Sequence, residues 1–112
     1  MFKVLLCCET GVSTALLVKK MKIEAEKRRI ECQITAYPYD SFYDHVEQYD
    51  ICLIAPQIKR HYHEIEQYCL QNHKACGLIH INNFGMLRGD LVLNNAIKVY
   101  NEYLNRHTGY LD

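Results

Sequence analysis

Apolar residues fall along this chain in short unbroken runs that alternate with stretches of helical periodicity. Lys3-Val4-Leu5-Leu6-Cys7-Cys8 is almost continuously apolar, as a central strand covered on both faces must be. Ser13 offers an N-cap, and the segment to about Arg29 reads as a helix, with Leu17, Met21 and Ala25 at fourfold spacing and Val18 beside them. Cys32 to Tyr37 alternates in part and is ended by Pro38, which predicts a second strand. A short helix is expected from about Asp40 to Gln48. Asp50 to Ala55 then reads as a third, fully buried strand. Pro56 can open a helix, because its missing N–H is not needed there. Beyond it Ile58, Tyr62, Ile65 and Cys69 share one helical face, to about His73. Cys76 to Ile81 predicts a fourth strand, followed by a loop from Asn82 to Gly89. Asp90 is placed to cap a last helix, where Leu93, Ile97, Tyr100 and Leu104 repeat the spacing; the tail after about Arg106 is expected to be loose.

Strands alternating with helices require right-handed crossovers, and hence a parallel sheet. The expected fold is α/β: a four-stranded parallel sheet of order 2-1-3-4 with helices on both faces, forming one domain over residues 1–112. In such sheets ligands bind beyond the carboxyl ends of the strands, near the switch point between strands 1 and 3. The loop after Cys8, the Pro56-Gln57 turn and the Asn82–Gly89 loop then share one rim.

Composition narrows the function. Thirteen basic residues balance thirteen acidic ones, so no basic field exists to collect nucleic-acid phosphates. No apolar run approaches the roughly 20 residues of a spanning helix, so membrane association is expected only through a partner. The opening Met1-Phe2-Lys3-Val4-Leu5-Leu6 is too short for a signal peptide, which points to a cytoplasmic protein; a monomer is the default expectation. The six cysteines include no C-x-x-C pair, and the adjacent Cys7 and Cys8 would face opposite sides of a strand. Disulfides and zinc are therefore not expected, and Cys32, Cys52 and Cys76 read as small core residues.

Cys8 stands apart because of its neighbours. Cys8-Glu9-Thr10-Gly11-Val12-Ser13-Thr14 joins a strand to a helix. Backbone N–H groups in such a loop can curl around an anion, and the helix N-terminus adds about half a positive charge. Gly11 suits the turn, and the Ser13 and Thr14 hydroxyls can donate to phosphate oxygens. A cysteine just before a helix ionises more readily and becomes a nucleophile. The plain alternative is a strand–turn–helix with an inert cysteine; Cys, Gly and Ser-Thr together at a strand end favour the phosphate loop. Low-molecular-weight tyrosine phosphatases and arsenate reductases place a cysteine loop in the same position, with the phosphatase pattern C-x5-R. Here the sixth residue after Cys8 is Thr14, and no Asp-Pro element supplies a general acid. A loop without that arginine suits holding phosphate for transfer rather than hydrolysing it.

The motifs resemble the lactose/cellobiose-type enzyme IIB of the bacterial phosphotransferase system, whose domains share the phosphotyrosine-phosphatase-like fold. Cys8 to Thr14 matches C-x-x-G-x-S-T, and Leu16-Leu17-Val18-Lys19-Lys20-Met21 matches the following L-L-V-x-K-M. Ala55-Pro56-Gln57 stands where the family has G-P-Q, and Phe84-Gly85-Met86-Leu87-Arg88-Gly89 where it has Y-G-M-x-x-G. The resemblance implies that Cys8 accepts phosphate from a phosphohistidine of enzyme IIA and passes it to a sugar bound by membrane enzyme IIC. It also implies that Glu9, Thr10, Gly11, Val12, Ser13 and Thr14 form the phosphate loop, and that no metal or other cofactor is needed. The Pro56-Gln57 turn and the loop of Phe84 and Gly85 would flank the docking face. Lys59 and Arg60 lie near that rim, either to steer a phosphorylated partner or as a solvated face.

Glu9 departs from the small or neutral residue usual at its place. A carboxylate turned towards a phosphocysteine would repel it, so Glu9 is expected to point outward to a basic group; a regulatory domain that keeps the fold without transferring phosphate is the alternative. His61 and His63, two positions apart on a helix, face about 200° from each other and are expected to be solvent-exposed rather than ligands. His80 reads as a hydrogen-bonded structural histidine. Tyr37, Tyr39 and Tyr43 form a cluster for packing or for partner docking.

Overall fold

In a computed structural model describing residues 1–10 and 12–108, four parallel strands run β1 (Phe2–Cys8), β2 (Cys32–Pro38), β3 (Ile51–Ile54) and β4 (Ala75–Leu78), in the sheet order β2-β1-β3-β4. Helices α1 (Val12–Lys27), α2 (Tyr62–Gln71), α3 (Ile81–Gly85) and α4 (Gly89–Thr108) follow β1, β3 and β4. The expected order and parallel pairing are both present.

The strand period of two divides the core. Val4, Leu6 and Cys8 of β1, with Ile51, Leu53 and Ala55, pack on one face against Leu17 and Met21 of α1 and Val92 and Ala96 of α4. Leu5, Cys7, Cys52 and Ile54 pack on the other face, against Phe42, Val46, Ile58, and Ile65 and Cys69 of α2. With both faces covered, all four residues of β3 are buried, which is why its sequence shows no alternation.

Several local expectations are corrected. The segment from Asp40 to Gln48 is not one helix but two 3₁₀ segments, Tyr39–Asp44 and Val46–Gln48, interrupted at His45; Phe42 and Val46 anchor them in the core. Aromatic and Asp-Ser-rich composition disfavours a regular α-helix there. Pro56–His61 is likewise 3₁₀, with Ile58 turned out of helical geometry (φ −116°, ψ 27°) so that its side chain is buried, and α2 starts only at Tyr62. β4 ends at Leu78 because its partner β3 ends at Ile54; one more ladder bond, Ile79 N–H to the Ile54 carbonyl (2.9 Å), closes the pairing. The following loop contains α3, capped by His80, whose Nδ1 accepts from the Asn82 N–H at 3.1 Å. Neither Ser13 nor Asp90 precedes its helix, since α1 begins at Val12 and α4 at Gly89. Asp90 instead accepts from Arg88 Nε (3.1 Å) and Nη2 (2.9 Å). α4 runs to Thr108, past the expected end near Arg106; the rest of the tail lies outside the described residues.

Gly89 lies where α4 crosses α1: a Cβ there would sit 2.5 Å from the Lys20 carbonyl carbon and 2.7 Å from the Met21 nitrogen. At the far end of α1 the chain leaves through Arg29 at φ 56°, with the Ile30 N–H donating back to the Ala25 carbonyl at 2.9 Å.

Candidate active site

Register brings the strand ends together. Cys7 is paired with Ile54, and Ile54 with Leu78, while the Ala55 N–H donates to the Cys7 carbonyl at 2.9 Å. Cys8, Ala55-Pro56-Gln57 and Ile79-His80-Ile81 therefore emerge side by side at the carboxyl edge of the sheet. This is the rim expected from the strand order.

Cys8 is the last residue of β1, only 2 % exposed, and its Sγ donates to the Tyr37 carbonyl of β2 at 3.4 Å. It lies among the buried residues of the α1–α4 face, near Ala55, Ile79 and Phe84. Glu9 and Thr10 are exposed, and α1 starts at Val12. The expectations placed on Gly11, and on the side chains of Val12 and Ser13, lie outside the described residues. Thr14, in the first turn of α1, is fully buried, and its Oγ1 has no hydrogen-bond partner among the described residues. A buried hydroxyl left unpaired is costly, so an orphan donor in the first turn of the helix after Cys8 suits an anion held beside that turn.

Glu9 points outward. Its Oε1 lies 3.8 Å from Arg60 Nη2, with the two side chains 58 % and 63 % exposed, while Arg60 Nη1 donates to the Gln57 carbonyl at 3.1 Å. So exposed a pair adds little stability, but it turns the carboxylate towards the 3₁₀ segment rather than towards the sulfur. Lys59 and Gln57 are exposed beside it and Pro56 is half-buried. Gly85 is exposed with open space around its Cα. Phe84, expected on the rim, is only 6 % exposed and packs into the α1–α4 core. The apolar surface at this edge is supplied instead by Ile81 (68 % exposed) and Met86 (71 % exposed), which periodicity did not single out.

Two of the histidines, His45 and His61, are packing groups. His61 is half-buried rather than solvent-exposed, stacked on Tyr39 with ring centroids 4.2 Å apart. His63 is exposed, 3.2 Å from Gln67. The tyrosine cluster ties the 3₁₀ segments to α2, since Tyr39 and Tyr43 hydroxyls both donate to Glu64 Oε1, at 3.2 and 3.0 Å. Burial first, and then the Glu64 carboxylate, raise the Tyr43 pKa. His45, which no local pattern marks, stacks on Tyr37 at 3.8 Å.

The sequence model of the family "PTS system, Lactose/Cellobiose specific IIB subunit" matches residues 3–95. The chain belongs to this IIB family. It is 31 % identical over 99 residues, covering 88 % of this chain and 96 % of the relative, to the oligo-beta-mannoside-specific EIIB component of the PTS system of Bacillus subtilis. The lactose-specific IIB domain of the phosphoenolpyruvate:carbohydrate phosphotransferase system from Streptococcus pneumoniae superposes with a TM-score of 0.80 at 20 % identity, over 88 % of this chain and 97 % of that one. The cellobiose-specific IIB component from Borrelia burgdorferi superposes with a TM-score of 0.77 at 26 % identity, over 91 % and 94 % of the two chains. This IIB chain is a component of a sugar phosphotransferase system, and its sheet order and helices are those of IIB domains. No helix among the described residues is long and apolar enough to cross a membrane.

Proposed function

We propose that Cys8 is the phosphate carrier of this IIB chain, charged by the phosphohistidine of enzyme IIA and discharged to a sugar held by membrane enzyme IIC. The observation that carries the reading is the cysteine at the end of β1, leading into a helix whose first turn holds the unpartnered, buried Thr14 hydroxyl. In the first step the Cys8 thiolate attacks phosphorus, the S–P bond forms, the P–N bond breaks, and the neutral imidazole leaves. In the second step a sugar hydroxyl attacks phosphorus, the O–P bond forms, the S–P bond breaks, and the hydroxyl's proton passes to the departing Cys8 sulfur. Thr14 and the amides at the start of α1 stabilise the dianion between the two steps. Because Cys8 is so covered at rest, the adjoining loop must yield when a donor docks.

Thr14 at the place of the phosphatase arginine supports holding the phosphoryl group over hydrolysing it. Glu9, turned to Arg60, supports transfer over a domain that has lost it. Pro56, Gln57, Lys59, Arg60 and Gly85, with Ile81 and Met86, make the docking rim for IIA and IIC, and this exchange places the chain at the cytoplasmic face of the membrane as a monomer. No metal or nucleotide enters either step, because the phosphoryl group arrives already activated.

The test is intact-mass measurement after incubation with phosphoenolpyruvate, enzyme I, the histidine phosphocarrier protein and a lactose/cellobiose-type IIA. A gain of one phosphoryl group that vanishes in Cys8→Ser is expected. A gain that persists in Cys8→Ser would overturn the assignment.

A further inference from the structure

The neutral total charge conceals a separation of sign between the two faces of the sheet. Residues 12–29, which are α1 and the turn after it, hold six basic side chains against two acidic ones. Residues 39–71, which hold the 3₁₀ segments, β3 and α2, have six acidic against two basic. α1 packs on one face of the sheet, and the 3₁₀ segments and α2 pack on the other. The domain therefore has a positive side and a negative side.

The outward surface of α1 adds an apolar component. Leu17, Val18, Met21 and Ala25 are buried, which turns Leu16, Lys19 and Ile23 away from the core. Leu16 is 47 % exposed and Ile23 50 %, two turns apart on one line. Lys20 and Lys27 border that line on one side and Lys22 on the other, all exposed. Glu26 is exposed among them. Glu24 is drawn aside, with its carboxylate 2.7 Å from Arg28 Nε and 3.7 Å from Lys27 Nζ. Single apolar residues on a surface are ordinary. Two aligned on one helix and bordered by lysines suit an anionic bilayer surface, with the apolar tips among the headgroups and the ammonium groups at the phosphates.

We propose that this face of α1 is a peripheral contact for anionic phospholipid headgroups, separate from the rim at Cys8. It rests on the proposed exchange with IIC only for the reason that a membrane lies close by. Charge selects lipid over protein as the occupant. Cytoplasmic loops of membrane proteins carry an excess of lysine and arginine, so IIC itself complements a lysine face poorly. The anionic leaflet around IIC complements it well. A second copy meeting this face across a two-fold axis would set lysines against lysines. The geometry also leaves the site usable. α1 runs back from the rim alongside the parallel strands, so its outward face looks sideways from the strand ends. A chain resting on lipid by α1 turns its acidic side away from the membrane and keeps the Cys8 rim open.

The full chain is pelleted with sucrose-loaded vesicles of phosphatidylcholine containing one-third phosphatidylglycerol, beside vesicles of phosphatidylcholine alone. Binding is expected to the anionic vesicles at low ionic strength and not to the neutral ones. About 1 M salt, which screens charges beyond about 3 Å, should release the chain. Each lysine near such a surface contributes about fivefold in affinity, so Lys19→Gln with Lys22→Gln should weaken binding about 25-fold. Lys59→Gln with Lys74→Gln makes the same change in total charge away from α1 and should weaken it far less. Leu16→Ser with Ile23→Ser should also weaken it. Cys8→Ser should bind as the natural chain does, so failure of the phosphate-carrier assignment leaves this test readable. No pelleting with anionic vesicles at low ionic strength, equal losses in the two lysine pairs, or full binding by the Leu16 and Ile23 variant would overturn the proposal. So would binding to IIC in phosphatidylcholine alone that Lys19→Gln with Lys22→Gln abolishes, because a protein would then occupy the face. The lipid and salt dependence of the unmutated chain decides the matter even if a variant folds poorly.

Discussion

Replacing Thr14 by valine sets stability against function. The hydroxyl is fully buried and unpartnered among the described residues, so the resting chain bears the desolvation of a donor that gains nothing in return. Such a group costs about 1–3 kcal/mol, and valine places a methyl in nearly the same volume with the same branching. Taking the lower end, Thr14→Val should raise the unfolding free energy by about 1 kcal/mol, or about 3–5 °C in Tm for a chain of this size. In the phosphorylated chain the same hydroxyl would donate to a dianion, a bond of about 1.5–3 kcal/mol that the variant cannot make. The equilibrium occupancy of Cys8 from a limiting phosphorylated donor should therefore fall about ten- to a hundredfold. Thermal melts of the unphosphorylated proteins and intact-mass titration against phosphorylated IIA measure the two effects separately. A variant that melts lower than the natural chain and is phosphorylated as fully would refute the reasoning, because the hydroxyl would then be satisfied by something other than phosphate.

Gly89→Ala should lower the unfolding free energy by about 1–3 kcal/mol in chemical denaturation, since its Cβ would meet the α1 backbone at Lys20 and Met21 rather than a yielding side chain. Arg29→Gly should add about 0.5–1 kcal/mol on the same curves, because a left-handed residue without a Cβ relieves the strain at φ 56° by more than the extra freedom of the unfolded chain costs. The Asp90 carboxyl, held at about 2 chiefly by its hydrogen bond from Arg88, should titrate by NMR below the ordinary aspartate range. Its folded pKa is depressed, so its contribution is present above about pH 4 and lost as pH falls towards about 2; the difference in Tm between the natural chain and Asp90→Asn should shrink across that window.

The sheet was legible because it is written in local runs. Lys3–Cys8 and Asp50–Ala55 are apolar without a break, which only a strand covered on both faces requires, and the crossover rule then orders the four strands. The proposed site could be assembled from local sequence for the same reason, since Cys8, the turn after it and Thr14 are contiguous. What escaped depends on contacts between distant segments. The run Cys76–Ile81 looks like strand throughout, yet β3 stops at Ile54, so after the last bond from Ile79 the chain leaves the ladder and His80 caps a short helix instead. Phe84 reads as a rim aromatic, but α3 turns it into the core and exposes Ile81 and Met86. The Glu9–Arg60 pair joins residues far apart in sequence and has no local signal.

The central claim is that Cys8 passes phosphate onward, and a pulse–chase measurement tests it most directly. The chain is labelled through IIA with ³²P, isolated, and mixed with membrane vesicles bearing a lactose/cellobiose-type IIC and its sugar. The account predicts label on the tryptic peptide of residues 4–19, at Cys8, and its loss from the chain at the rate at which labelled sugar phosphate appears. Label on a histidine, or release as inorganic phosphate whether or not sugar is present, would contradict it.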